Sequence, residues 1–267
     1  SQELGSGPST MCAGKAADAF GLSTLDGVVE IADAIQAYCQ TTLKGIPTWV
    51  RLPRSQLPPS WERDGMQCPV VPLVKALYGH PDSGGYWEEH CDKHIQEKGF
   101  RPIPGWWSCY MHERLNVFLS VYVDDFKMSG PAEHVDLVWS LFTKGDDPIV
   151  MGPRVDIKQV TRDNKRIRFL GCEHEYFRAT VSWQGDDIPQ LDPPKKVKEG
   201  SKPNLVELEG KGATLKRESK EVNAIAYNMR SFCKSCVDLY LELTGEHADI
   251  RLAVATPFLD ESGLDYG

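Results

Sequence analysis

The sequence predicts an α+β fold, in which an antiparallel sheet carries helices on one face and a helical segment follows at the C-terminus. Residues 115–123 (LNVFLSVYV) are the strongest strand candidate, because β-branched and aromatic residues dominate them. Residues 83–98 and 132–143 instead repeat apolar side chains at helical spacing. With 41% hydrophobic and 25% charged residues, the composition is ordinary for a globular protein.

The N-terminal part of the chain carries weaker signals. Residues 1–26 are rich in Ser, Gly and Ala, and we expect a loose arm with one short helix at most. Residues 27–40 run from a short apolar strand into a helix-like stretch, and residues 48–52 form another strand candidate. The prolines of residues 53–60 predict a loop.

The two amphipathic segments have recognisable ends and faces. Ser83 is a candidate N-cap for the first, and Gly99 is a natural C-terminal stop. The second places its larger apolar side chains on one face: Val135, Val138, Trp139 and Phe142. Residues 166–170 and 173–182 then predict two strands joined at Gly171-Cys172.

We divide the rest of the chain at changes of composition. Residues 27–183 form the main predicted domain, and residues 184–217, which are polar and rich in Pro, Gly and Lys, form a linker. Residues 218–267 are expected to hold a helix, over 218–243, and an extended tail. The apolar stripe of that helix comprises Val222, Ile225, Met229, Phe232, Cys236 and Tyr240.

Charge and cysteine content limit the function classes. A net charge of −8 is unusual for a nucleic-acid enzyme, which needs basic groups to contact phosphates. The eight cysteines are irregularly spaced, so we expect reduced thiols in a reducing intracellular compartment. No apolar run reaches the length of a transmembrane segment. Because the sequence begins at Ser1, we expect a processed product or a fragment.

The turn Tyr122-Val123-Asp124-Asp125 is the main chemical signal. Two adjacent carboxylates after an apolar strand suit Mg²⁺, which prefers oxygen ligands and often bridges to substrate phosphates. On these residues alone, a solvated Asp-Asp turn is the simpler interpretation. A two-metal site needs a further carboxylate, and Asp33 is the best candidate because it also follows an apolar run. The alternatives that remain open are Asp26, Glu30, Asp82 and Asp92.

Six blocks between Asp33 and about Tyr176 resemble, in order, the reverse transcriptases of Ty1/copia retrotransposons. The blocks are Asp33-Ala-Ile-Gln-Ala-Tyr38, Trp49-Val-Arg-Leu-Pro53, Leu73-Val-Lys-Ala-Leu-Tyr-Gly79 with Trp87, Lys98-Gly-Phe100 with Ser108-Cys-Tyr110, Val121-Tyr-Val-Asp-Asp125, and Phe169-Leu-Gly171. The segment HPDSGG (residues 80–85) and residues 222–262 are similar to divergent retrotransposons of this type from protists such as dinoflagellates.

The resemblance implies a reverse-transcriptase palm and RNA-directed DNA polymerisation on an RNA/DNA template-primer. Asp33, Asp124 and Asp125 would hold two Mg²⁺ ions. Tyr38 would crowd the sugar 2′ position of the incoming nucleotide, although a packed core tyrosine is an equal alternative. The segment Phe169-Leu170-Gly171 would position the primer end.

Three departures from the family pattern favour a second hypothesis. Lys15 is the only basic residue before Asp33, where the family has a fingers region that binds the triphosphate. Asp82 replaces a glutamine that contacts the nucleotide, and a carboxylate there would repel a triphosphate. No RNase H or integrase sequence follows. The alternative is a truncated, catalytically silent subunit of retroelement origin, whose partners are the protein subunits of a larger assembly.

Two other features have simpler interpretations. His90 and His94 lie four residues apart on a predicted helix but lack further zinc ligands, so we expect solvated histidines. Trp106-Trp107 could stack on a nucleic-acid base, but we expect these side chains to pack beneath the sheet.

Overall fold

The computed structural model describes residues 7–66, 68–159, 167–184, 190–191 and 217–245. The chain forms two compact units, residues 1–227 and 228–267. The helices are α1 (Met11–Ser23), α2 (Ala37–Gln40), α3 (Pro59–Arg63), α4 (Ser83–Glu97), α5 (Ala132–Thr143) and α6 (Arg230–Thr244). The strands are β1 (Gly27–Asp33), β2 (Trp49–Arg51), β3 (Val70–Pro72), β4 (Arg101–Pro102), β5 (Cys109–His112), β6 (Val117–Tyr122), β7 (Asp125–Pro131), β8 (Val155–Asp156), β9 (Ile167–Phe169), β10 (Cys172–Gln184), β11 (Gln190–Leu191) and β12 (Arg217–Asn228).

A six-stranded sheet in the order β4-β5-β6-β7-β1-β8 is the centre of the first unit. Its strand pairs are all antiparallel. The predicted α+β class with antiparallel sheets is therefore confirmed. β6 lies within the predicted strand 115–123, and the pairing of β1 with β7 joins segments that are far apart in the sequence.

Helices α4 and α5 pack on one face of this sheet, as the sequence predicts. The predicted face of α5 is buried, including Val138 and Phe142 at 0% exposure. It meets Trp87 and Ile95 of α4 and every second residue of β7, such as Phe126, in one core cluster. The start of α4 differs by one residue from the prediction. Asp82 holds the N-cap position, while the Ser83 hydroxyl donates to the Leu77 carbonyl at 2.8 Å.

The one short helix that the sequence allows in residues 1–26 is α1, but it packs on the opposite face of the sheet and is not loose. Ala13 and Ala17 lie against Phe118 of β6. A Cβ added at Gly14 would lie 2.8 Å from the Phe169 ring, which shows how closely the helix approaches its neighbours. These contacts are made by Ala and Gly, and for this reason the helix has only a weak apolar pattern in the sequence.

A second sheet has the strand order β11-β10-β12, with β9 beside β10, and its Phe169 approaches Gly14 of α1, so it lies on the same side as α1. Phe169 of β9 packs against Val29 and Ile31 of β1. The predicted helix 218–243 is wrong over its first part, because residues 217–228 form β12 and helix α6 begins at Arg230. Residues 218–228 gain a partner strand in β10, and this distant pairing outweighs the helical spacing of Val222 and Ile225.

The second unit contains α6, which ends at Gly245 in the left-handed conformation (φ +67°). Its exposed apolar side chains include Phe232, Leu239 and Leu243. Within the described part of the chain, no helix is long and apolar enough to cross a membrane. Most of the predicted linker and the predicted extended tail lie outside the described residues.

Candidate active site

Two aspartates from distant segments lie side by side at one end of the six-stranded sheet. Asp33 is the last residue of β1, and Asp125 is the first residue of β7. The antiparallel register places the two residues directly opposite each other. Side chains of directly opposed residues project from the same face with Cβ atoms about 4.5–5.5 Å apart. Of the candidate partners for Asp125, the fold therefore selects Asp33.

A two-residue turn, Val123-Asp124, connects β6 to β7. Tyr122 pairs with Asp125 across it, and Val123 has a φ of +57°. A β-branched residue rarely adopts a positive φ, and the conformation persists only where neighbouring contacts fix it. Here the Trp87 indole N–H donates to the Val123 carbonyl at 2.6 Å, and the Ala34 N–H donates to the Asp124 carbonyl at 2.7 Å. The turn is thus tied to α4 on one side and to the end of β1 on the other.

Three carboxylates, those of Asp33, Asp124 and Asp125, concentrate negative charge at this end of the sheet. Burial, a hydrogen bond with Asp33 and the charges of Asp33 and Asp124 raise the pKa of Asp125 from 3.8 to about 7. Asp33 is exposed, while Asp124 and Asp125 are half-buried. Among the described residues, no positively charged group contributes to the shift of the Asp125 pKa. Asp125 therefore keeps its proton until near neutral pH, and a bound cation would displace that proton.

The donor set fits Mg²⁺ with a limited number of protein ligands. Among the described residues, no group of three or more His, Cys, Asp or Glu side chains has the arrangement of a metal site. Mg²⁺ is, however, often held by one or two carboxylates, several waters and the phosphates of a substrate. Asp33 and Asp125 supply two such carboxylates, and Asp124 lies close enough to act on Asp125 through its charge.

Tyr38 lies close to the carboxylates and is paired with a second tyrosine. It follows Asp33 by one short loop, is half-buried and packs against the main core cluster. The ring centroid of Tyr78 lies 4.4 Å from that of Tyr38, with the planes tilted by 31°. The Asp124 charge also acts on the Tyr78 hydroxyl and contributes, after burial, to raising its pKa. The Tyr78 hydroxyl therefore lies within range of the Asp124 charge, and the Tyr38 ring lies against that of Tyr78.

The other residues predicted for the site are placed differently. Asp82 lies at the start of α4, where its N–H donates to the His80 imidazole at 3.2 Å, and it is not among the charges that act on Asp125. Phe169 is buried at 1% exposure beneath β1, so its ring cannot touch a primer strand. Leu170 (φ +51°) and Gly171 (φ +74°) form the turn after it. Any role of Phe169 is to hold that turn against the sheet.

The structure also places His94 and the pair Trp106-Trp107. His94 is buried, packs its ring against Phe142 at 5.6 Å between centroids, and has a pKa lowered by burial. It is a core residue and not the solvated histidine that the sequence predicts. Trp106 packs edge-on against Phe118 but stays 42% exposed, and Trp107 is 74% exposed. The expected packing beneath the sheet is thus only partial for Trp106 and wrong for Trp107.

The sequence did not predict the roles of Trp87 and Tyr78, although both belong to the block Leu73–Gly79 with Trp87 that resembles the family. It also missed a buried ion cluster on the α1 face of the sheet, where the Lys127 ammonium lies 2.6 Å from the Asp18 carboxylate. One signal could have revealed the cluster. Lys127 stands between the apolar residues Phe126 and Met128, and Asp18 stands between Ala17 and Ala19 in a helix rich in alanine and glycine.

Replacing Trp87 with phenylalanine should loosen the turn. The smaller ring would leave a small cavity in the core and the Val123 carbonyl would lose its donor, at a combined cost of about 2–3 kcal/mol of unfolding free energy. We expect faster amide exchange at Asp124 and Asp125 together with this loss, measured by hydrogen exchange and urea denaturation. The matched control is Tyr86→Phe, on the same helix as Trp87, which removes a hydrogen bond to the Lys44 carbonyl. Unchanged exchange at the turn would show that the indole does not fix it.

Comparisons with protein-family models, with curated proteins and with solved structures found no match for this chain.

Proposed function

We propose that this chain is the catalytic part of an RNA-directed DNA polymerase of the Ty1/copia type, with a reverse-transcriptase palm built on the six-stranded sheet. The observation that carries the proposal is the juxtaposition of Asp33 and Asp125, with Asp124 in the adjoining turn. These are the residues that the ordered blocks of the sequence single out. A solvated Asp-Asp turn would not explain why a third aspartate arrives beside it from a distant strand.

The reaction assigned to this site is nucleotidyl transfer from a deoxynucleoside triphosphate to a primer 3′-hydroxyl. Two Mg²⁺ ions, when bound, would supply charge stabilisation for the attacking and leaving oxygens. Asp33, Asp124 and Asp125 would hold them through carboxylate oxygens. The chain contributes mainly positioning and electrostatics, which is the usual division of labour in phosphoryl transfer.

The direct test is primer extension by the purified full chain on an RNA template with a DNA primer and Mg²⁺. We expect extension by the wild-type chain and none by Asp124→Asn. Asp146→Asn removes the same charge at an exposed position after α5 and should extend normally. Absence of extension by the wild type, or equal extension by Asp124→Asn, would overturn the proposal.

Divalent cations should stabilise the folded chain in a pH-dependent way. Cations bind the ionised carboxylates, and a ligand that binds only the folded state raises its melting temperature. Since the pKa of Asp125 is raised to about 7 by burial, by its hydrogen bond with Asp33 and by the neighbouring charges, protons compete below that pH. We expect a larger Mg²⁺-induced rise in melting temperature at pH 8 than at pH 6, and none in Asp33→Asn/Asp125→Asn. Equal shifts in wild type and double variant would place the cation elsewhere.

A catalytically silent subunit is the second candidate function, and one surface favours it. Four large apolar side chains around β2 and β3 are strongly exposed: Ile46 at 88%, Trp49 at 59%, Val70 at 53% and Val74 at 67%. Exposed apolar residues grouped in this way are typical of protein interfaces. Sedimentation of the purified chain tests this function. A folded monomer at micromolar concentration that extends primers would rule out the silent-subunit proposal.

A further inference from the structure

A groove beside helix α4 has one aromatic wall and one acidic wall. Its volume is about 540 Å³, which is within the usual range of ligand-binding clefts. The aromatic wall comes from the segment that joins β4 to β5, where Trp106 is 42% exposed and Trp107 is 74% exposed. The acidic wall comes from α4 and comprises Glu88, Glu89 and Asp92. We call this surface, which none of the active-site aspartates lines, the tryptophan groove.

The backbone of Gly7 ties the two walls of the tryptophan groove together. Its N–H donates to both carboxylate oxygens of Glu88 at 3.1 Å, and its carbonyl accepts from the Ser108 hydroxyl at 2.7 Å. A Cβ added at Gly7 would lie 2.9 Å from the Trp107 ring, so the ring packs directly on this glycine. The walls are therefore held in place before a ligand arrives, which lowers the entropy cost of binding.

Two of the three carboxylates in the acidic wall have only neutral partners. Asp92 accepts from the Tyr110 hydroxyl at 3.0 Å and from the Gln96 amide at 2.7 Å, and Glu88 accepts from a backbone N–H. Within the described part of the chain, no Lys, Arg or His forms an ion pair with either. The third carboxylate of the wall pairs with Lys44 at 2.8 Å. The groove thus keeps negative charge that a cationic ligand would neutralise.

The two walls together fit a guanidinium group better than other cations. Tryptophan faces attract cations, and a planar guanidinium can stack on such a face while it donates hydrogen bonds to carboxylates at its edge. Pro102 and Ile103 also line the groove and offer apolar surface to the methylene stem of an arginine. A nucleic-acid strand would instead bring phosphates close to the carboxylates, which repel them.

We infer that the tryptophan groove binds an arginine side chain presented by a partner polypeptide, with the guanidinium stacked on an exposed tryptophan and hydrogen-bonded to Glu88 and Asp92. Trp and Arg are the residue types that most often dominate the binding energy of protein interfaces. The inference does not depend on the proposed function, because the groove and the active-site aspartates share no residue.

An NMR titration of the full chain with three blocked tripeptides tests the inference. The probes are acetyl-Ala-Arg-Ala-amide, the same peptide with lysine, and the same peptide with citrulline, which has the shape of arginine without its charge. We expect the arginine peptide to shift the indole N–H signals of Trp106 and Trp107 to saturation, with a dissociation constant of roughly 0.1–1 mM. The lysine peptide should bind about 3- to 10-fold more weakly, and the citrulline peptide more than about 10-fold more weakly.

Two variants locate the bound peptide. Glu88→Gln removes a charge but keeps an oxygen for the Gly7 N–H, and Trp107→Ala removes an exposed ring. Each should weaken the arginine peptide by about 3- to 10-fold. Glu113→Gln and Trp49→Ala make the same changes at exposed positions outside the groove and should bind like the wild type.

Three results would overturn the inference. The first is equal binding of the arginine and citrulline peptides to the wild type, which would show that charge plays no part and which needs no variant to fold. The second is a lysine peptide that binds as tightly as the arginine peptide, since the guanidinium would then not be recognised. The third is an arginine peptide that fails to saturate the indole signals by about 10 mM, or that binds Glu88→Gln and Trp107→Ala as it binds the wild type.

Discussion

Asp125→Asn should abolish primer extension, with a loss of roughly a thousandfold or more, and should at the same time stabilise the folded chain at pH 8. The amide keeps the size and shape of the carboxyl group but cannot carry its charge. It therefore removes a metal ligand, and it also removes the repulsion between Asp125 and its neighbours Asp33 and Asp124. Opposite effects on activity and on stability are the mark of a site built at a cost to the fold.

The pH dependence of that stabilisation follows from the direction of the shift. Burial, the hydrogen bond with Asp33 and the charges of Asp33 and Asp124 raise the pKa of Asp125 from 3.8 to about 7 in the folded chain. Between these two values the folded state binds more protons than the unfolded state, so the free energy of unfolding falls as pH rises. The loss is complete above about pH 7. Asparagine does not titrate and escapes it, and since solvent reaches this half-buried site we expect a gain of roughly 1–2 kcal/mol at pH 8.

Urea denaturation of the wild type, Asp125→Asn and Asp146→Asn at pH 5 and pH 8 measures this effect. Asp125→Asn should gain stability relative to the wild type mainly at pH 8, and Asp146→Asn, at an exposed position, should follow the wild type at both. If Asp125→Asn were less stable than the wild type at pH 8, the three carboxylates would not repel one another in solution. The site would then lack the charge that a cation neutralises.

The parts of the fold that the sequence predicts well are those with strong local patterns. The face of α5 is an example, since Val135, Val138, Trp139 and Phe142 are apolar, large and helically spaced, and all four are buried. The strand before the Asp124-Asp125 turn is another, because β-branched and aromatic residues crowd it. In both cases the residues that pack are also the residues that give the pattern.

The errors occur where packing depends on small residues or on distant partners. Helix α1 meets the sheet through Ala13, Gly14 and Ala17, which add little to a hydrophobic pattern although they allow close approach. In the 217–228 segment, the backbone pairs with β10, which is distant in the sequence, and the helical spacing of Val222 and Ile225 is coincidental. Likewise Tyr78 belongs to the family-like segment 73–79, but only the fold shows that its ring packs against Tyr38.

In the candidate site, too, local patterns predict some features and distant contacts determine the others. Residue types alone leave five carboxylates as possible partners of the turn, and the resemblance favours Asp33 without a geometric reason. The register of β1 against β7 supplies that reason. The turn itself needs Trp87, whose hydrogen bond to the Val123 carbonyl spans two elements that no local pattern connects.

Lys127→Met should destabilise the folded chain by about 3–5 kcal/mol, the largest stability effect that we expect from a single substitution. The Lys127 side chain is fully buried and lies 2.6 Å from an Asp18 carboxylate that is 2% exposed. The His174 ring lies 3.1 Å from the same ammonium, and the Tyr227 hydroxyl donates to Asp18 at 2.6 Å. The four residues belong to α1, β7, β10 and β12, so the cluster joins the N-terminal helix and the second sheet to the main sheet.

The size of the effect comes from the charge that the substitution leaves behind. Burial alone would raise the pKa of Asp18, but hydrogen bonds with His174 and Lys127 and the Lys127 charge bring it below its ordinary value. A carboxyl group with a lowered pKa contributes stability at neutral pH and loses that contribution as pH falls through the folded-state value. Without Lys127, the ionised Asp18 loses its lysine partner and keeps only its contacts with His174 and Tyr227, so its burial becomes a cost.

A double variant separates this cost from any loss of packing. Asp18→Asn/Lys127→Met nearly keeps the volumes and removes both charges, so it should recover most of the stability lost in Lys127→Met, because no unpaired charge stays buried and the amide keeps Tyr227 as a hydrogen-bond donor. Lys44→Met is the control, since its partner Glu89 is 60% exposed and the pair should contribute less than about 1 kcal/mol. If Lys127→Met were as mild as Lys44→Met, water would reach Lys127 in solution, and α1 and the second sheet would not close over this face of the main sheet. If the single variant were severe and the double variant equally so, the methionine would be failing to fill the space between Asp18 and Phe169, and shape rather than charge would hold these elements together.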